Sequence, residues 1–142
     1  VDIITARVRV INQYNTTIKL YGNSWSHSDI KKSQNIAHPG ALFRSELFKD
    51  YGNFKESYKI AGDYEWLLRL NKDVTARFLN KVIIRMGDSG VSNSNLLRVL
   101  KETREAQREN LPSSIYRDIN FLIYVIRVFL SMTYRKLKQL YR

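Results

Sequence analysis

The sequence of 142 residues has no cysteine and only 13 acidic residues against 24 basic ones. Without cysteine there can be no disulfide framework and no thiolate metal site, and a reducing compartment is favoured. The most apolar stretch, Phe121 to Leu130, is interrupted by Arg127 and is too short to span a bilayer. The spacing of the two histidines, His27 and His38, fits no zinc motif. These absences argue against a disulfide scaffold, a zinc module and a transmembrane helix.

The formal net charge of +11 favours polyanionic partners such as nucleotide phosphate, anionic lipid or nucleic acid. A basic nucleic-acid-binding module is therefore one alternative, since aromatic residues stand among the basic ones. No known nucleic-acid motif accompanies the charge, and the basic residues are spread along the chain. An oligomerisation module without catalysis is a second alternative.

The first third of the chain is predicted to begin with a hairpin. Residues 3–11 alternate between apolar and polar, which is typical of a strand with one wet face. Residues 16–21 are rich in β-prone side chains and follow turn-forming residues, so they are expected to pair back. Residues 22–37 are polar and aperiodic and predict a loop with a short helix, anchored to the body by Trp25.

The next stretch predicts a strand followed by a short helix. The apolar run Ala41 to Phe43 is bounded by turn formers and predicts a buried strand. Ser45 is expected to cap the helix, and Gly52 is expected to close it in the left-handed conformation.

A second helix is predicted to begin at Gly62 and Asp63, with Tyr64, Leu67 and Leu68 on its apolar face. An aspartate at this position is a favoured helix cap. A carboxylate held there in a fixed orientation could also deprotonate a substrate hydroxyl. The residues alone leave both interpretations open.

Two further charged residues of this helix carry predictions. Arg69 is expected to form an ion pair that pins the helix. Glu65 points to a different side from Asp63, so its neutralisation is expected to be mild.

The remainder of the chain is predicted to be two edge strands followed by helices. The strands lie around Phe78 and around residues 82–84. Residues 94–110 carry opposite charges four apart, as on a solvated helix face. Residues 115–141 show helical spacing of apolar residues with basic residues between them.

The order of elements in residues 38–70 resembles the carboxyl-terminal half of the catalytic domain of family 2 glycosyltransferases. The resemblance rests on Tyr51-Gly52, the Phe-Lys-Glu-Ser loop at 54–57 and the helix that opens with Gly62-Asp63. It implies an α/β fold: a partial GT-A (nucleotide-diphospho-sugar transferase) fold, the acceptor-side half, over residues 1–93. A helical tail, residues 94–142, would follow. Many members have Glu-Asp where this chain has Gly62-Asp63.

The resemblance also implies substrates and site residues. Asp63 falls on the position of the general base, and a sugar would pass from a nucleotide-sugar donor to a saccharide or lipid-linked acceptor in bacterial cell-surface polysaccharide synthesis. The substrate-binding positions are expected to be His38, Gly62, Trp66, Gly90 and Ser92, the last two in a Gly-x-Ser loop.

A divalent metal, magnesium or manganese, is expected to be bound mainly by an amino-terminal half that precedes this sequence. Family members carry an Asp-x-Asp element there, and these 142 residues contain none. The resemblance therefore implies a fragment that is inactive on its own and holds no metal ligand.

The tail, residues 115–142, has two open interpretations. It is either a basic amphipathic helix on an anionic membrane surface or a helix that packs on protein. Six basic residues against the single Asp118 after Pro112 favour the membrane. The expected location is cytoplasmic and peripheral, on the inner face of the cell membrane.

Overall fold

The computed structural model describes residues 1–88 and 95–140, with side-chain detail in the last helix as far as Tyr134. These residues form a mixed α/β arrangement, so the expected α/β class is confirmed at this level. The elements in chain order are β1 (Ile3–Ile11), β2 (Thr17–Tyr21), α1 (His27–Ile30), a 3₁₀ turn (His38–Gly40), β3 (Ala41–Phe43), α2 (Ser45–Tyr51), α3 (Gly62–Arg69), β4 (Ala76–Gly87), α4 (Leu96–Asn110) and α5 (Ile115–Leu140).

β1 is the central strand of a four-stranded sheet. β4 pairs with it in parallel along its whole length. On its other edge, β3 pairs antiparallel with the first residues of β1 and β2 pairs antiparallel with the last. The predicted hairpin of β1 and β2 is confirmed. β1 buries side chains on both faces near its start.

β4 is one strand of 12 residues that pairs with β1 at an edge of the described sheet, so the predicted edge position is confirmed and the division into two strands is wrong. Its two β-prone runs join across Asn80 and Lys81, where the register shifts: Leu79 lies opposite Ala6, and Val82 lies opposite the next residue of β1. The extra residues of β4 form bulges, and after each bulge β4 pairs again with the shorter β1.

The strand and helix after the 3₁₀ turn differ in detail from the prediction. β3 is present but is not buried, because Leu42 is 66% exposed. Ser45 is the first residue of α2 and its hydroxyl donates to Glu46, while Arg44 holds the cap position without a side-chain cap. Gly52 does have a positive φ of 76°, but its ψ of 170° is extended and not left-handed helical. That combination is open essentially to glycine alone.

α3 lies at the centre of the core. Every side chain from Tyr64 to Leu68 is buried, which confirms the apolar face predicted for this helix. The core combines side chains from β1, α1, the loop after α1, α2, α3 and α4; its main members are Ile3, Ile30, Ile36, Leu47, Tyr64, Trp66, Leu67, Leu70 and Ala106. Trp25 packs against this cluster, in agreement with its predicted anchoring role.

α4 packs on α3 and is more than a solvated helix. Its predicted ion pairs are present, Arg98 with Glu102 at 2.8 Å and Lys101 with Glu105 at 3.8 Å. The interpretation as a purely exposed face is nevertheless wrong, because four side chains are buried against α3: Glu102, Thr103, Ala106 and Gln107. The division into residues 1–93 and 94–142 stays a prediction.

α5 is tied to α4 near its start. Asp118 pairs with Arg104, whose guanidinium also lies over the ring of Phe121 at 4.9 Å. In the part of the chain that the structure describes, no helix combines the length and apolar character needed to cross a membrane.

Candidate functional site

Asp63 lies in the first turn of α3, at its second residue. The helix begins at Gly62 and the cap position belongs to Ala61, which has no side-chain cap, so of the two interpretations left open for Asp63 the one as helix cap does not hold. One carboxylate oxygen, Oδ1, accepts the N–H of Tyr64 at 2.8 Å, and the other, Oδ2, accepts Nε2 of Gln34 at 2.7 Å. The carboxylate therefore has a fixed orientation supported by two elements.

The surroundings of Asp63 leave it accessible. Its side chain is half-buried, and Gln34, which donates to it, is on the exposed surface of the loop after β2. Tyr21, at the end of β2, lies close enough to be affected by its charge: burial first, and then the Asp63 carboxylate, raise the pKa of the Tyr21 hydroxyl. A half-buried carboxylate beside a helix N-terminus can accept a proton from a bound hydroxyl.

Glu102 on α4 fixes the entry into α3. Its Oε2 accepts the backbone N–H groups of Ile60 at 2.8 Å and Ala61 at 3.0 Å, and its Oε1 accepts Nε of Arg98 at 2.8 Å. Desolvation alone would raise the pKa of Glu102, but the bonds from Ala61, Ile60 and Arg98, with one from the N–H of Lys59, lower it to about 2. α3 thus receives a buried anion at its positive end from a neighbouring helix.

A small cavity of about 170 Å³ adjoins the start of α3. Gln34, Ala61 and Tyr64 line one side of it, and α4 and α5 close the other through Val99, Thr103 and Tyr124. The Tyr64 hydroxyl is buried, which raises its pKa to about 12, and it accepts Nε2 of Gln107 at 3.1 Å. Because Gln34 also donates to Asp63, the same side chain lines the cavity and contacts the carboxylate.

The other end of α3 is held by an ion-pair cluster around one buried carboxylate. Glu65 is completely buried and lies 3.0 Å from Nζ of Lys55 and 3.2 Å from Nη2 of Arg69. Arg69 also donates to the carbonyls of Tyr51 at 2.6 Å and Asn53 at 2.8 Å. The predicted pinning role of Arg69 is confirmed. The expectation that neutralisation of Glu65 is mild stays a prediction, and against it stands the complete burial of this carboxylate between two cations, Lys55 and Arg69.

Trp66 is placed in the core and not against a cleft. It is completely buried, stacks on Phe48 at 4.6 Å and donates its indole N–H to the carbonyl of Gly52 at 2.7 Å. A ligand at the surface cannot reach this ring, so we remove Trp66 from the substrate-binding candidates. Its role is to connect α3 with the end of α2.

His38 lies in the 3₁₀ turn and belongs to the edge of the same aromatic group. Its ring stacks on Phe43 at 5.4 Å and meets Phe54 edge-on at 5.8 Å. Its Nδ1 is buried and finds no hydrogen-bond partner among the described residues. His38 and Asp63 thus contact different neighbours, and the substrate-binding role of His38 stays a prediction.

The remaining candidates are glycines and a serine. Gly62 begins α3, and a β-carbon there would meet Cβ of Tyr58 at 3.5 Å, an ordinary contact. Glycine is therefore not required by packing at this position, which leaves its predicted role untested. Gly90 and Ser92 lie outside the described residues, so the predicted Gly-x-Ser loop stays a prediction. Residues 1–88 and 95–140 contain no cluster of three or more histidine, aspartate or glutamate side chains that could hold a metal ion.

Sequence reasoning missed Gln34 and Glu102, the two residues outside α3 that determine how Asp63 is held. Nothing in the polar loop sequence distinguishes Gln34 from its neighbours. Glu102 was predicted only as a member of an ion pair on an exposed helix face. Comparison with protein-family models and with curated proteins gave no match for this chain.

Proposed function

We propose that this chain is the acceptor-side half of a glycosyltransferase of the GT-A type, similar to family 2, with Asp63 as its general base. The observation that carries the proposal is the Asp63 carboxylate, half-buried at the start of α3 and oriented by Gln34 and by the backbone of Tyr64. The donor is a nucleotide-sugar, and the acceptor is a saccharide or a lipid-linked sugar. The protein would act in cell-surface polysaccharide synthesis in bacteria.

In this proposal the reaction is a single displacement. The acceptor oxygen forms a bond to the anomeric carbon while the bond from that carbon to the diphosphate oxygen breaks, and the nucleotide diphosphate leaves with the electron pair. The acceptor proton passes to Asp63. With two hydrogen bonds accepted from the described residues, the Asp63 carboxylate keeps lone pairs available for this proton.

The divalent metal of such enzymes finds no ligand cluster in the described residues. As the resemblance implies, the proposal assigns the metal and most of the donor site to the amino-terminal half of such an enzyme. The cavity beside Asp63, with the Thr103 and Tyr124 side chains in its wall, is the candidate for part of the acceptor site.

The test is glycosyl transfer by the longer protein that the proposal requires, compared between wild type and Asp63→Asn. Asparagine keeps an oxygen for the Tyr64 N–H, and the Gln34 amide can turn to offer its oxygen, so folding should change little. Turnover should fall about a hundredfold to ten-thousandfold, the usual contribution of a general base. Donor binding and the melting temperature should stay close to wild type.

The matched control is Asp50→Asn, the same change at an exposed aspartate in the last turn of α2. It should leave turnover unchanged. If Asp63→Asn keeps most of its turnover, or loses no more than Asp50→Asn, the assignment of the base is refuted. Transfer of radiolabelled sugar to a saccharide acceptor provides the measurement.

A further inference from the structure

α5 exposes a continuous apolar stripe on the side away from its half-buried residues. Six large side chains, each 41% to 65% exposed, recur three and four residues apart along one face: Ile119, Leu122, Ile123, Ile126, Phe129 and Leu130. On a helix this stripe is about 17 Å long. The opposite side already has partners near its start, since Phe121 lies beside Arg104.

An exposed apolar stripe of this extent marks an interaction surface. The charge around it indicates what covers it. The sequence after Pro112 has six basic residues and one acidic residue, Asp118. Arg104 and Arg117 both pair with Asp118, so its charge is compensated within the fold. Arg127, beside the stripe, is exposed.

A second copy of the chain is a poor match for this surface. Each copy carries a formal charge of +11, and apposed α5 helices would bring their excess basic residues together. An anionic bilayer offers both lipid chains for the stripe and negative headgroups for the basic residues. The stripe runs along the helix axis, which suits a helix lying in the plane of the membrane surface.

We propose that the exposed face of α5 docks on the surface of an anionic lipid bilayer, with the apolar stripe in the interface and Arg127 at the headgroups. This docking does not depend on glycosyl transfer. It does place the cavity wall formed by Tyr124 on a helix that lies against lipid.

The experiment is cosedimentation of the chain with vesicles of phosphatidylcholine alone and with vesicles of equal parts phosphatidylcholine and phosphatidylserine. We expect binding to the anionic vesicles that weakens as salt is added. Arg127→Glu reverses one charge, and at about fivefold per charge near the leaflet it should weaken binding about thirtyfold. Ile126→Asp should weaken it by more than about tenfold, because it removes an apolar contact and adds a repelled charge.

Leu97→Asp is the matched control. Leu97 is an apolar residue on α4 that is 80% exposed, so the substitution makes the same chemical change away from the stripe. Leu97→Asp should reduce vesicle binding only through the one negative charge that it adds away from the stripe. Circular dichroism should show that all three variants keep the wild-type fold.

Three outcomes would overturn the proposal. The first is no sedimentation of wild type with anionic vesicles, or equal sedimentation with both kinds. The second is a loss for Leu97→Asp as large as that for Ile126→Asp. The third is a dimer in solution that Ile126→Asp dissociates while vesicle binding is absent, which would assign the stripe to a second copy.

Discussion

Replacement of Glu102 by glutamine should loosen the entry into α3. The carboxylate accepts the N–H groups of Ile60 and Ala61 through one oxygen and Nε of Arg98 through the other. Glutamine keeps an oxygen for the two backbone groups, but its amide N–H₂ then faces the guanidinium of Arg98, donor against donor. The buried anion at the start of α3 is lost at the same time.

The size of the effect follows from the pKa of Glu102, which is lowered from its usual 4.5 to about 2. A difference of that size corresponds to about 3 kcal/mol of folding free energy from the charged form. Because the pKa is lower in the folded state, this contribution is complete above the unfolded value. It is lost as the pH falls through the window from 4.5 to about 2.

The assay is denaturant unfolding of wild type and Glu102→Gln at a series of pH values. At neutral pH the variant should be less stable by about 2 to 3 kcal/mol, and the difference should shrink steadily below pH 4.5. Glu105→Gln is the control on the same helix, since Glu105 is exposed and pairs with Lys101 at 3.8 Å. It should cost less than about 0.5 kcal/mol at any pH.

A difference between wild type and Glu102→Gln that does not change with pH would refute this reasoning, because it would show that the carboxylate charge contributes nothing. A loss equal to that of Glu105→Gln would do the same. Either result would also remove the explanation of how α4 holds the helix that carries Asp63.

Two further predictions concern packing and backbone geometry, both measured by denaturant unfolding. Leu67→Ala should cost about 2 to 5 kcal/mol because the side chain is completely buried, and a cost no larger than that of Leu42→Ala, at an exposed leucine, would show that α3 faces elsewhere. Gly52→Ala should cost about 1 to 3 kcal/mol because of its φ of 76° and ψ of 170°. Gly62→Ala should be nearly neutral or stabilising, and the reverse order of the two glycine variants would contradict the backbone described here.

The elements that sequence predicted well are those with local signals. The alternation in residues 3–11 and the spacing of Tyr64, Leu67 and Leu68 are repeated within a few residues, so they identify β1 and the face of α3 without knowledge of their neighbours. The hairpin of β1 and β2 is also local, since a short turn brings its strands together.

β4 is an element that local sequence patterns do not predict correctly. Asn80 and Lys81 interrupt its apolar pattern, and a single strand through them is stabilised by pairing with β1, more than sixty residues earlier in the chain. Nothing in the sequence of residues 76–87 identifies β1 as the partner strand. The same limit applies to Glu65, whose burial depends on Lys55 from the preceding loop as well as on Arg69 within its own helix.

The candidate site was predictable in part for the same reason. Asp63 was found from its place at the start of a helix and from the resemblance, but its hydrogen bond with Gln34 joins residues from a loop and a helix far apart in sequence. Trp66 was expected to bind substrate from the resemblance alone, but its ring stacks on Phe48 in the aromatic core. The position of a residue close to Asp63 in the sequence does not indicate whether its side chain faces solvent or the core.

The way α3 is held connects the proposed chemistry with the helices after residue 94. Its start is fixed by Glu102, the hydroxyl of Tyr64 by Gln107, and its end by the ion pair of the buried Glu65 with Arg69. Two of these three supports come from α4. A carboxylate that must meet a substrate hydroxyl within hydrogen-bond distance needs such support, because a displacement of about 1 Å can cost about a hundredfold in rate. Asp63 therefore depends on α4 for its position, even though its two described hydrogen bonds come from Gln34 and Tyr64, and any activity of this site should require α4.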